Sequence, residues 1–162
     1  MIILGVDPGV AITGYALLKS VDKSTKILDY GNIQTDRSSS FPLRLKKIYD
    51  EISQLIEQYR PQTLALEDVF YAQNIKTALK MGHVRAVTLL AAVNNDVAIS
   101  EFSPREVKLA VTGYGAASKE QVQKMVVHLL NLPQLPSSYD VTDAMAVAIC
   151  HCNRTKKIQI NK

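Results

Sequence analysis

Met1-Ile2-Ile3-Leu4-Gly5-Val6-Asp7-Pro8-Gly9 opens the chain with an apolar run that ends on an acid and a turn. A near-continuous apolar run is the pattern of a strand buried on both faces. Pro-Gly is the turn signal that ends it. Residues 14–18 predict a second strand, and residues 26–33 a third after the polar turn Asp22-Lys23-Ser24. Connections this short make the three strands antiparallel neighbours.

A helix follows over 42–59, with Leu45, Ile48, Tyr49, Ile52, Leu55 and Ile56 at helical spacing. Pro61 ends it, and 64–66 form a fourth strand. Residues 74–94 predict a helix with two apolar stripes. One is Ile75, Ala78, Leu79, Gly82, Ala86, Leu89, Leu90 and Val93; the other is Met81, Val84, Thr88 and Ala91. A surface helix needs only one apolar face, so this helix is either central or packed on a partner subunit. Residues 97–99 form a fifth strand. Ser103-Pro104-Arg105-Glu106 and Ser118-Lys119-Glu120-Gln121 each begin a helix with a capping box. Gly113-Tyr114-Gly115 is a flexible break between them. A last helix starts near Asp140 and ends in Arg154, Lys156 and Lys157, which suit a helix C-terminus.

The order β-β-β-α-β-α-β-α-α-α implies an α/β fold: a five-stranded mixed sheet, its first three strands antiparallel, with helices on both faces. At 162 residues the chain is long enough for one well-filled core. The expected organisation is one domain over 1–155 and a short basic tail over 156–162. Hydrophobic residues make up 47% and charged residues 21%, as in ordinary globular proteins. No apolar stretch reaches membrane-span length, and no basic region precedes the first apolar run. The expectation is a cytoplasmic protein with no membrane role. The net charge of +4 permits nucleic acid as a partner without demanding it.

Four acids stand at the ends of apolar elements: Asp7, Glu67 after Thr63-Leu64-Ala65-Leu66, and Asp140 and Asp143 at the start of the last helix. Three of them have an ordinary alternative. Asp before Pro-Gly is a common turn residue, and acids in a first helical turn cap the helix and complement its dipole. Glu at the tip of a buried strand has no turn role. Asp140 and Asp143, three apart, share a helix face. If the fold brings all four together, they cannot all stay ionised without cations to neutralise them. Oxygen ligands without His or Cys favour magnesium or manganese. A pair of such ions can clamp the attacking and leaving oxygens of a phosphodiester. Asp68 follows Glu67 and should point to the other side of the sheet.

Phe70 and Tyr71 stand just past Glu67, where either could stack on an unpaired base or pack under its own loop. Lys76 and Lys80, one turn apart, could reach phosphates together. Lys108 and Lys119 flank the glycine break and could contact a phosphate or stabilise charge in the transition state. His83, His128 and His151 have no metal-like spacing and read as structural. Cys150-His151-Cys152 looks like a metal triplet, but alternate helix residues point in different directions, and zinc needs further ligands at workable spacing.

Leu4-Gly5-Val6-Asp7-Pro8-Gly9, Thr13-Gly14-Tyr15, Leu66-Glu67-Asp68-Val69-Phe70-Tyr71-Ala72-Gln73-Asn74 and Asp140-Val141-Thr142-Asp143-Ala144 together resemble the RuvC family of bacterial Holliday-junction resolvases. The resemblance runs in order through essentially the whole chain. It implies an RNase H-like fold and a magnesium-dependent homodimer that nicks opposing strands of a four-way DNA junction in recombination and repair. It places the family's four acids on Asp7, Glu67, Asp140 and Asp143, with two magnesium ions per subunit and manganese as a substitute. It puts a base-contacting aromatic on Phe70 and basic residues near the chemistry on Lys108 and Lys119. It also turns the double-faced helix into a subunit interface, expected at Met81, Val84, Thr88 and Ala91, and implies RuvA and RuvB as partners. Rival readings are another RNase H-like nuclease acting on hybrid or duplex, a junction-binding protein without turnover, and an actin-like phosphotransferase. The last needs a second domain that a chain of this length lacks.

Overall fold

A computed structural model describes residues 1–21, 24–68 and 74–160, with side chains through Thr155. The strands are β1 (Ile2–Asp7), β2 (Ile12–Val21), β3 (Ser24–Gln34), β4 (Thr63–Glu67) and β5 (Ala98–Phe102). The helices are α1 (Phe41–Tyr59), α2 (Ile75–Asn94), α3 (Pro104–Thr112), α4 (Lys119–Leu130) and α5 (Tyr139–Ile160). The strands lie in the order β3-β2-β1-β4-β5. β1 pairs antiparallel with β2, and β2 with β3. β4 runs parallel to both β1 and β5. The expected mixed sheet is therefore present.

Strand alternation splits the core into two layers. Leu4, Val6, Leu64 and Leu66 face α1 and α2, where they meet Ile48, Ile52, Ile56 and Val84. Ile3 and Ala65 face the other way, toward Val107 of α3, Val122 and Val126 of α4, and Ala144 to Cys152 of α5. The same alternation sends Asp7 and Glu67 toward the α5 side and Asp68 toward α2. Two glycines let α5 lie close across the sheet. A Cβ on Gly5 would strike the Ala144 carbonyl, and one on Gly14 the Asp140 carbonyl. This close approach carries the start of α5, with its two acids, over the end of β1.

The caps read from the sequence form as expected. Ser103 with Glu106, and Ser118 with Gln121, make complete capping boxes. Asn74 caps α2 by accepting from the Lys76 backbone N–H at 2.9 Å.

Two expectations are corrected. Val84, Thr88 and Ala91 are fully buried in the chain's own core, so they cannot form the surface of a subunit interface. Met81 is half-buried beside them. The outward stripe of α2 is the other one, with Ile75 78%, Leu79 60%, Leu90 51% and Val93 60% exposed. The small residues Ala91 and Ala92 face inward because they let α2 lie close against the sheet and α1. The second correction concerns the C-terminus. α5 continues to Ile160, three residues past the end expected at Lys157.

His151 is buried edge-on against Phe102, 6.1 Å between ring centres, and burial lowers its pKa. Cys150 and Cys152 are buried within α5, and Cys150 Sγ donates to the Glu106 carbonyl at 3.7 Å. These residues belong to the core, as the sequence reading expects. Among the described residues no helix is long and apolar enough to cross a membrane.

Candidate active site

Asp7 ends β1, where the chain turns sharply, and the turn is tightly tied. Thr13 is buried and bonds Gly9 twice, accepting from its N–H at 3.2 Å and donating to its carbonyl at 2.8 Å. Thr35 and Arg44 both donate to the Val10 carbonyl, at 2.6 and 2.9 Å. Glu67 ends β4, the parallel neighbour of β1. Asp140 lies in the first turn of α5 and Asp143 in the turn after it, and Ser138 donates to Asp140 at 2.7 Å.

These four acids act on one another. Burial, then Asp143, Asp140 and Glu67, raise the pKa of Asp7 from 3.8 to about 7, against an opposing pull from Lys119. Burial and Asp143 push Glu67 up, while Lys119 and Lys108 draw it down. Asp143 is raised by burial and by Asp140, with Lys119 opposing. Lys119 reaches Asp143 at 3.4 Å, and that carboxylate holds the lysine's pKa up. Glu67, Lys108, Lys119 and Asp143 line a small cleft of about 90 Å³, floored by Val107, Val122 and Ala146. Asp7 and Asp140 lie beside this cleft rather than in its lining.

The donor set suits a hard divalent cation: all oxygen, half-buried, and too rich in negative charge for two lysines to balance. Among the described residues, no three acids, histidines or cysteines already close around one point as a finished cage. Mutual repulsion keeps carboxylates apart when no cation draws them in. The donor chemistry and the charge excess fit such a cation.

The structure brings together Asp7, Glu67, Asp140, Asp143, Lys108 and Lys119. Lys76 and Lys80 stand exposed on the first turns of α2. Phe70 and Tyr71 lie outside the described residues. Asp68 turns away, as alternation requires, and pairs with Arg85 at 3.5 Å. Three contacts escape a reading of the sequence. Ser138 had a faint signal, a serine at the cap position before an acidic first turn. The Lys119–Asp143 pair and the position of Arg85 had none, because both depend on which helices cross.

A mixed five-stranded sheet in this strand order, with helices on both faces, is an RNase H-like fold, and it carries acids at the ends of two adjacent strands and on a crossing helix. The family model of the crossover junction endodeoxyribonuclease RuvC matches residues 3–151, and the chain belongs to the RuvC family. It is 49% identical over 153 residues to the crossover junction endodeoxyribonuclease RuvC of Alkaliphilus oremlandii, covering 94% of this chain and 93% of that one. It superposes on Thermus thermophilus RuvC with a TM-score of 0.90 at 27% identity, covering 97% of this chain and 96% of that one. The T. thermophilus protein in complex with Holliday junction substrate superposes with a TM-score of 0.92 at 26% identity and the same coverage.

Proposed function

We propose that this protein is a divalent-metal-dependent endonuclease that resolves four-way DNA junctions by paired nicks in opposing strands, in recombination and repair. The convergence of Asp7, Glu67, Asp140 and Asp143 on one another, within a chain of this family, carries the reading. These four acids would hold the cations, magnesium or manganese, two per subunit. Bound there, the ions supply Lewis-acid stabilisation of the charge that develops on the phosphodiester and help produce the nucleophile from water.

The chain's own residues do the rest. Lys119 is two-thirds exposed in its pair with Asp143. An exposed pair of this kind holds its partner weakly, so Lys119 is free to turn to an incoming phosphate. Lys108 lines the same cleft from α3. Together they orient the scissile phosphate and offset its charge. Lys76 and Lys80 extend the cationic surface along α2, and Phe70 or Tyr71 supplies an aromatic face for a base. Cytoplasmic location and work alongside RuvA and RuvB belong to the same reading.

Paired nicking needs two centres, and the exposed apolar stripe of α2 suits an isologous contact between two copies. Leu90→Asp or Val93→Asp is expected to give monomer in sedimentation velocity, with the fold intact by circular dichroism. Dimer persisting in both variants would put the interface elsewhere.

The function itself is tested by offering the chain, with magnesium, a synthetic four-way junction, a linear duplex and an RNA–DNA hybrid. The expected result is symmetric nicking of the junction, with duplex and hybrid cut at least about 100-fold more slowly, the discrimination a few kilocalories of differential binding supplies. Preferential cutting of the hybrid would make the protein a different RNase H-like nuclease.

A further inference from the structure

Arg85 lies on α2, behind the sheet from the acid cluster, with its side chain only 15% exposed. Its Nη1 donates to the main-chain carbonyl of Glu67 at 2.8 Å. Its Nη2 bonds Glu101 of β5 at 2.6 Å and reaches Asp68 at 3.5 Å. One guanidinium thus ties the C-terminal ends of β4 and β5 to α2. The β1 ladder to β4 stops at Val6↔Leu66. β1 ends at Asp7, and the Pro8 that follows has no N–H to offer the Glu67 carbonyl. On the other side, the Asp68 N–H donates to the Phe102 carbonyl at 2.7 Å. Ser103 N–H is then used by Glu106 at 2.8 Å, and Pro104 again has no donor. Arg85 therefore holds a carbonyl at a point where the neighbouring strands run out of N–H groups.

We propose that Arg85 is the positioning residue for Glu67, gripping its backbone from the α2 side so that its carboxylate stays aimed at Asp7 and Asp143. This rests on the reading of the acid cluster as a nuclease centre. The guanidinium suits the task because its planar fork satisfies a carbonyl and a carboxylate at once, which an ammonium does less well.

The experiment compares the unaltered chain with Arg85→Met and Arg85→Lys. Asp68 and Glu101 are each more than two-fifths exposed, so water can take up their charge and both variants are expected to fold. Junction cleavage is measured at saturating and sub-saturating substrate, and junction affinity separately in EDTA. In Arg85→Met, kcat is expected to fall about 10-fold or more, the usual effect of a small misplacement of a reacting group, while KM and the metal-free affinity change little. Arg85→Lys should recover part of kcat. Hydrogen exchange is expected to quicken over residues 63–68 in Arg85→Met and not across the rest of the sheet. Unchanged kcat in Arg85→Met, beside a cleaving unaltered chain, overturns the positioning role alone. If Arg85→Met fails to fold, Arg85→Lys decides, and an unchanged kcat there overturns the role. Failure of the unaltered chain to cut the junction overturns this role together with the nuclease reading beneath it.

Discussion

Asp7→Asn leaves the four-way junction bound and uncut. The substitution keeps the size of the side chain and removes the charge most strongly coupled to the other three acids. The expected loss in cleavage rate is about 10³-fold or more, equivalent to roughly 4 kcal/mol of transition-state stabilisation. Binding comes from cationic groups and backbone contacts, which carry most protein–DNA hydrogen bonds, so affinity in EDTA should be unchanged or slightly tighter once one negative charge is gone. Gel shift and cleavage on the same synthetic junction check both halves. Cleavage within about threefold of the unaltered chain would remove Asp7 from the chemistry.

The second large effect appears in stability without metal. The pKa of Asp7 stands at about 7 in the folded chain against 3.8 ordinarily. Between those values the native state binds more protons than the unfolded state, so stability must fall as pH rises. The stabilising contribution is whole below about pH 4 and is gone once pH passes the folded value near 7. About three units at roughly 1.4 kcal/mol each gives a loss on the order of 4 kcal/mol. Glu67 and Asp143, also raised, act in the same direction. Chemical denaturation in EDTA at several pH values should show this slope, and Asp7→Asn should flatten much of it. At pH 8 in EDTA the variant is therefore expected to be more stable than the unaltered chain. Added magnesium should reverse that order, because it binds the folded acids and not the unfolded chain.

The acids were legible because burial makes a charged side chain at the tip of an apolar strand costly, and that cost is visible in the alternation of the sequence itself. The same alternation separated Glu67 from Asp68. The sheet was legible too, since short turns between β1, β2 and β3 leave antiparallel pairing as the ready solution. The orientation of α2 was not. Both of its stripes are apolar, and the stripe with the larger side chains, Leu79, Leu90 and Val93, is the one left outside. Small residues won the inner face because they permit a close approach to α1 and the sheet, a property of the partner surface rather than of the helix. Arg85 was hidden for a related reason: its three acceptors come from the ends of two strands that meet only in the fold. The end of α5 was misjudged because Lys156 and Lys157 suit a last turn but do not compel one.

The central claim is that four carboxylates from β1, β4 and α5 form one divalent-cation site. Anomalous diffraction from crystals grown with manganese tests it most directly. The account expects manganese bound among Asp7, Glu67, Asp140 and Asp143, and absent from the same position in Asp7→Asn crystals. Manganese bound elsewhere, with these four acids empty at saturating metal, would contradict it.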